Sequence, residues 1–318
     1  MSDFTVIDLE PWFTDSDEEK GRVVDAVREA CRTIGFFLIT GHRIDPALVA
    51  TMYATSRAFF DLPEETKRRI PAVGPVPGGL EYFARETERL AATMGQETPP
   101  DIKETMDFGP GFGGVPWPDE PEGLETVWRA YYAAMDGLCR QLRGILACAA
   151  DLPDDFFEPH FVDHLSSIRV INYPEPVAEP LPGQLRAGAH TDYGFLTVLL
   201  SEDRPGGLEV MNLEGRWVAP PALPGSFVVN LADSLMRWTD DRWHSTPHRV
   251  VNPPTDRRGE SRRQSIAYFH NPARDALIAT LPGFLADGKT AKYPPIAYGD
   301  YAMDRQRRAS GYRGLWVA

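Results

Sequence analysis

From about residue 165 the chain abandons helical periodicity for seven short apolar runs, SIRVINY, FLTVLLS, GLEVMN, RWVAP, SFVVNLA, HRVVN and QSIAYFH, separated by turn residues. Strands of this length alternate inward and outward with a period of two, and so many in succession imply a sandwich or a barrel. The preceding half has a different pattern. Val23, Val27, Ala30, Cys31 and Ile34 fall at helical spacing, GFFLITGH follows as a short buried strand, and a second helix begins after Asp45 and Pro46 and stops near Asp61. Leu124, Val127, Tyr131, Met135, Leu138, Leu142, Ile145 and Ala149 form one wide apolar face of a long helix over 122–150. Between these helices, residues 68–120 are rich in Gly and Pro, as in VGPVPGG, FGPGFGG and VPWPDEPEG, which predicts loops and short, broken elements. No fixed-period repeat divides the chain. The expectation is a single mixed α and β domain over 1–318, with a mainly helical part over 1–165, the main β part over 166–275 and a C-terminal segment over 276–318.

Charge and cysteine usage narrow the partners. With 33 basic and 46 acidic residues the net charge is -13, which repels phosphate backbones and anionic lipid. Neither nucleic acid nor a membrane surface is an expected partner, and nothing in the pattern speaks to oligomeric state. The opening residues MSDFTVIDLEPW carry acids where a secretory leader would be basic and then apolar, so no export is expected. Three cysteines, Cys31, Cys139 and Cys148, lack CxxC spacing and sit in apolar helical patterns. A reducing, cytoplasmic setting follows as the expected location.

The chemistry-bearing residues cluster in the β part. His190 and Asp192 stand two apart in HTDYGFLTVLL, at the mouth of an expected strand whose period would aim both side chains the same way. WHSTPHRVV supplies His248 at the start of another strand, 56 positions after Asp192. Two imidazoles and one carboxylate on one side of a metal leave coordination positions open, the facial arrangement of non-haem iron(II) oxygenases. A structural zinc site would instead close its coordination with four ligands, usually including thiolates, and no cysteine lies near these residues. An isolated HxD also arises by chance, with each histidine a satisfied surface or core residue, and His244 competes with His248 as third ligand. His160 and His164 lack the Glu of a helical zinc pair and are read as structural or exposed, and His42 and His270, which stand alone, as satisfied hydrogen-bonding positions.

The order HTDYGFLTVLL, GLEV, GRWV, PGSFVVNLAD, DRWHSTPHRVV, RRQSIAYFHNP resembles the isopenicillin N synthase-like branch of the iron(II)/2-oxoglutarate dioxygenases. IDLEPW, GFFLITGHRI, FFDLPEETK, KETMDFGP and VPWPDEPEG extend the resemblance over most of the chain. It implies a double-stranded β-helix, or jelly-roll, core with packed N-terminal helices. It also implies His190, Asp192 and His248 as iron(II) ligands, the family's distal histidine being the one followed by Arg-Val, here Arg249 and Val250.

The family's RxS pair falls on Arg263 and Ser265 of RRQSIAYF, where one strand face would present a guanidinium fork and a hydroxyl to a carboxylate. In relatives this pair holds 2-oxoglutarate, and Tyr173 of IRVINYPEP is similar to a tyrosine that helps bind it. Without the resemblance, RRGESRRQS would be a solvated basic loop and Tyr173 a core aromatic. Where the family often has a polar residue, this chain has Ile171, with Asn172 displaced by one, so Asn172 is given no role.

The implied reaction uses dioxygen and 2-oxoglutarate to oxidise an unactivated C–H bond of a small molecule, with succinate and carbon dioxide as co-products. Hydroxylation is the default outcome, with desaturation or cyclisation open. An oxidase that does not use 2-oxoglutarate and an inactive small-molecule-binding protein are the competing readings. Tyr82, Phe83, Arg85, Met106, Phe108 and His244 are candidates for the substrate pocket.

Overall fold

The computed structural model describes residues 3–70, 80–109, 117–285 and 289–310. In chain order it places strand β1 (Thr5–Asp8), helix α1 (Asp17–Arg32), β2 (Phe36–Thr40), α2 (Pro46–Phe60), the short α3 (Glu64–Lys67), β3 (Glu81–Phe83), β4 (Glu104–Phe108) and the long α4 (Leu124–Ala149). There follow β5 (Ser167–Tyr173), β6 (Ala187–His190), β7 (Leu196–Ser201), β8 (Leu208–Met211), β9 (Trp217–Val218), β10 (Phe227–Leu231), α5 (Asp233–Trp238), β11 (His248–Val250), β12 (Arg263–His270), β13 (Leu277–Ile278), β14 (Ile296–Ala297) and α6 (Tyr298–Ser310).

Local signals account for the helices. Ser16 caps α1 by accepting a hydrogen bond from Glu19 N at 3.2 Å, and three acids occupy the first turn against one arginine in the last, which complements the helix dipole. Ser16→Ala is expected to cost about 1 kcal/mol, read as a shift of the midpoint in chemical denaturation. Val23, Val27, Ala30 and Cys31 of α1 are buried, and both α1 and α2 pack on α4. Trp128 of α4 donates to Ser56 Oγ of α2 at 3.1 Å, giving its buried indole nitrogen a partner.

Two sheets form the β core, as the jelly-roll expectation requires. The larger has the order β1-β2-β10-β7-β12-β5-β4-β3 and the smaller the order β6-β11-β8-β9. Alternation along the central strands of the larger sheet divides its two faces. Ile168 and Val170 of β5, Val198 of β7, and Ile266 and Tyr268 of β12 join the helices in one apolar core. Arg169, Ile171, Tyr173, Thr197, Leu199, Arg263, Ser265, Ala267 and Phe269 face the other way, toward a cavity also walled by the smaller sheet.

Helix outweighs strand over 1–165, but this part is not helical alone. Four strands from this part build both edges of the larger sheet, β1 and β2 on one side and β3 and β4 on the other. β3 and β4 are only 3 and 5 residues long and sit among Gly and Pro, too short for alternation to stand out against loop sequence. The stretches 71–79 and 110–116, which include most of VGPVPGG and FGPGFGG, lie outside the described residues. In the C-terminal segment, helix α6 carries side chains to the cavity, a placement with no counterpart in the strand pattern.

Candidate metal and co-substrate centre

β6 and β11 pair antiparallel with His190 directly opposite His248, and this register brings the two imidazoles to a ring separation of 4.4 Å. Asp192 arrives by another route than strand parity. β6 ends at His190, and Asp192 lies in the turn that crosses from the smaller sheet to β7 of the larger one. Its Oδ2 accepts from Thr197 Oγ1 at 2.6 Å and from Asn230 Nδ2 at 2.8 Å, side chains of β7 and β10. Oδ1 is left facing the histidines, 3.9 Å from His190 Nε2 and 3.7 Å from His248 Nε2. One donor atom from each of the three residues lies within 4.8 Å of the others.

Hydrogen bonds also set the tautomers. His190 Nδ1 lies 2.8 Å from Gly188 O and His248 Nδ1 lies 3.1 Å from Thr246 O, and since a carbonyl only accepts, each Nδ1 carries the proton. In the neutral ring this leaves the lone pair on Nε2, the atom that faces Asp192, which is the state a metal ligand needs. Burial, reinforced by the neighbouring His248, pushes the His190 imidazole down to about 3, so it is neutral at physiological pH. Burial alone would raise Asp192, but the charge of the histidines when they are protonated and the Thr197 and Asn230 hydrogen bonds hold it below the ordinary aspartate value. Two neutral nitrogens, one carboxylate oxygen and no thiolate form a donor set that suits iron(II). Thr197→Val, which removes a hydrogen bond that aims the carboxylate, is expected to weaken iron(II) binding about tenfold in a metal titration.

The second polar pole lies across the cavity. Arg263 pairs in register with Tyr173 and Ser265 with Ile171, so alternation puts Arg263, Ser265 and Tyr173 on the cavity face. Arg263 is 2% exposed, its Nε donates to Glu202 O at 3.2 Å, and its Nη2 donates to Ser201 Oγ. Its Nη1 is buried without a hydrogen-bond partner, and no carboxylate pairs with this cation among the described residues. A buried guanidinium held by neutral oxygens fits an incoming carboxylate. The guanidinium also lies 5.2 Å from the centre of the Tyr173 ring. Arg262 points the opposite way, with Nη2 2.6 Å from Asp61. Asn172 turns away as well, donating to Glu104 Oε1 at 2.7 Å, and Ile171 takes the cavity-facing position.

The triad, Arg263, Ser265 and Tyr173 line one cavity of about 290 Å³. Of the six candidate substrate-pocket residues only Phe83 is on its wall. Tyr82, Met106 and Phe108 project from the opposite faces of β3 and β4 into the helix-covered core, where the Tyr82 hydroxyl donates to Glu104 Oε2 at 2.6 Å. A shift of one residue in a short strand exchanges its two faces, which is why these three were misplaced. Arg85 is exposed on the surface. His244 stands outside the cavity, its backbone N bonded to Cys31 O at 3.2 Å. Glu88, Lys103, Asp107, Arg169, Tyr193 and Tyr298 line the cavity without having been anticipated. For Arg169 the signal was present, since SIRVINY puts it on the same face as Tyr173. Of the remaining histidines, His42 pairs with Gly225 O, His164 with Asp136, and His270 with Arg143 and Ser166, while the His160 ring lies 5.4 Å from that of Trp238.

Comparison with known proteins agrees with this geometry. Residues 165–272 match the 2OG-Fe(II) oxygenase superfamily, and residues 4–127 match the N-terminal family described as non-haem dioxygenase in morphine synthesis. A 2-oxoglutarate-Fe(II) type oxidoreductase of Emericella nidulans is 31% identical, over 96% of this chain and 90% of that protein. Validamycin A dioxygenase of Streptomyces hygroscopicus subsp. limoneus is 30% identical, over 94% of this chain and 85% of that one. The crystal structure of a full-length Neurospora crassa protein in complex with alpha-KG and thymine superposes with a TM-score of 0.85 at 30% identity, covering 97% of each chain. Shared sequence, shared fold and a convergent two-histidine, one-carboxylate donor set lead to one conclusion: the chain belongs to the 2OG-Fe(II) oxygenase superfamily, as an isopenicillin N synthase-like, 2-oxoglutarate-dependent dioxygenase that oxidises small molecules.

Proposed function

We propose that the chain works as a single oxygenase domain in which His190, Asp192 and His248 hold iron(II), while Arg263, Ser265 and Tyr173 hold 2-oxoglutarate. The observation that carries this assignment is that the three donor atoms and the uncompensated Arg263 cation open into the same cavity. Iron(II) and 2-oxoglutarate, when bound, supply from dioxygen an oxidant strong enough for an unactivated C–H bond, releasing succinate and carbon dioxide.

The protein's own part is positional. Gly188 and Thr246 carbonyls fix the imidazole tautomers, and Thr197 with Asn230 leaves one Asp192 oxygen free for the metal. The Arg263 guanidinium and the Ser265 hydroxyl, two residues apart on β12, orient the distal carboxylate. Leu199, Leu208, Val250 and Ala267 supply apolar wall that keeps bulk water from the reacting carbon.

The substrate is a free small molecule, since a cavity of about 290 Å³ lies at the low end of ligand pockets and must also admit the co-substrate. Neither duplex nucleic acid nor a membrane surface is a partner, a reading supported by the net charge of -13. The setting is cytoplasmic, which the unpaired thiols of Cys31, Cys139 and Cys148 support. No helix among the described residues is long and apolar enough to cross a membrane. Small metabolites are expected to stimulate succinate release from 2-oxoglutarate, and a generic DNA or RNA duplex is expected not to shift in a mobility assay at physiological salt. Salt-sensitive, submicromolar duplex binding would contradict the small-molecule reading.

A further inference from the structure

A buried carboxylate that does not line the cavity reaches both arms of the metal centre. Asp233 opens α5, just past the end of β10, the strand that carries Asn230. Its backbone N donates to Asp192 O at 2.9 Å. Its Oδ2 accepts from Thr191 Oγ1 at 3.3 Å, the side chain between His190 and Asp192. Its Oδ1 accepts from Ser245 Oγ at 2.7 Å. Ser245 starts the segment that leads into His248, and the next residue, Thr246, holds His248 Nδ1 with its carbonyl and donates its hydroxyl to Ile34 O at 2.6 Å. The two segments that bring the imidazoles together thus meet on opposite oxygens of one side chain. Displacing that side chain alters how His190 and Asp192 sit relative to His248.

Asp233 Oδ2 has two further partners, and both come from α6. The Tyr301 hydroxyl donates to it at 2.7 Å, and Arg305 Nη2 lies 3.2 Å away. The same Arg305 nitrogen donates to Thr191 Oγ1 at 2.8 Å, and Nη1 donates to Thr93 O at 3.2 Å. The guanidinium also lies 5.1 Å from the centre of the Tyr193 ring, so Arg305 touches the residues on both sides of Asp192. Tyr301 and Arg305 stand one helical turn apart, and so do Tyr298 and Ala302, which line the cavity. One stripe of α6 therefore grips the metal-binding turn while an adjacent stripe walls the cavity.

We propose that Asp233 is a positioning residue of the metal centre and that Tyr301 and Arg305 act on the metal through it, so that iron(II) affinity depends on α6, a helix that supplies none of the three ligands. A buried ion pair such as Arg305 with Asp233 adds little net stability, because desolvation offsets much of its attraction. What it does provide is a fixed place for the Thr191 side chain and for the Ser245 segment. The inference rests on the reading of His190, Asp192 and His248 as the iron(II) ligands.

The test is iron(II) titration of the full chain under nitrogen, at a temperature where circular dichroism shows each metal-free variant folded. Asp233→Ala and Arg305→Met should each raise the Kd for iron(II) about tenfold, and Tyr301→Phe, which keeps the ring and removes only the bond to Oδ2, about threefold; these lie at or below the low end for outer partners of metal ligands, because the turn is disturbed and not the donor atoms. Arg305→Lys, which keeps the charge, should stay closer to the parent than Arg305→Met. Arg308→Ala, whose side chain pairs with Asp304 on the exposed side of α6, should bind iron(II) like the parent. Where Asp233→Ala fails to fold, the Tyr301 and Arg305 variants decide. A purely structural role would lower the denaturation midpoint of the metal-free protein and leave the Kd at the parental value. The proposal is overturned if Tyr301→Phe and Arg305→Met both bind iron(II) like the parent, or if Arg308→Ala weakens binding as much as Arg305→Met. A parent protein that binds no iron(II), or a His248→Ala variant that binds it as well as the parent, refutes instead the ligand assignment beneath the proposal.

Discussion

His190→Ala, Asp192→Ala and His248→Ala are each expected to weaken iron(II) binding by more than roughly 100-fold and to abolish turnover, since loss of even an outer partner of a metal ligand typically costs 10- to 100-fold. Each side chain supplies one of the three protein donor atoms that cluster there among the described residues, and no other described residue joins the group. His244→Ala is the matched control. Its imidazole stands outside the cavity four residues before His248, and the variant should bind iron(II) like the parent. Iron titration of the four purified variants checks the assignment. Loss of metal in His244→Ala with retention in His248→Ala would show that the wrong histidine had been chosen.

Arg263→Ala is expected to raise the KM for 2-oxoglutarate by about one to two orders of magnitude while iron(II) stays bound. A hydrogen bond to a charged group contributes roughly 1.5–3 kcal/mol, which converts to that range of affinity. The expectation rests on the partnerless Nη1 and on the absence, among the described residues, of a carboxylate beside this guanidinium. Arg262→Ala should change the KM little, because its side chain pairs with Asp61 and leaves the cavity alone. Succinate release measured against 2-oxoglutarate concentration separates the two arginines. Should Arg263→Ala leave that KM unchanged and instead weaken the main substrate, the arginine grips substrate and not co-substrate.

Much of this centre was legible because its chemistry lies in continuous motifs. HTD, HRV and RQS each sit at a strand end or on a strand, and alternation puts Arg263 and Ser265 on one face, as β12 has them. What escaped is what tertiary structure decides. That Asp192 sits in a crossing turn, aimed by Thr197 and Asn230, depends on two sheets meeting, which no local window contains. Tyr82, Met106 and Phe108 were placed on the wrong side because the register of β3 and β4 comes from pairing with β5, not from their own few residues. Glu88, Lys103 and Asp107 look like ordinary surface charge in sequence. Only folding shows that, together with Arg169, they form a network of ion pairs within a buried wall. Tyr298 lies beyond every motif and reaches the cavity because α6 packs near residues 90–94, a contact between segments some two hundred residues apart.

The most direct measurement is the fate of 2-oxoglutarate in purified protein supplied with iron(II), dioxygen and candidate small molecules. Iron-dependent formation of succinate and carbon dioxide is expected, one equivalent per equivalent of substrate oxidised, with loss of both products in His248→Ala. Substrate oxidation with dioxygen uptake that proceeds at the same rate without 2-oxoglutarate would contradict it.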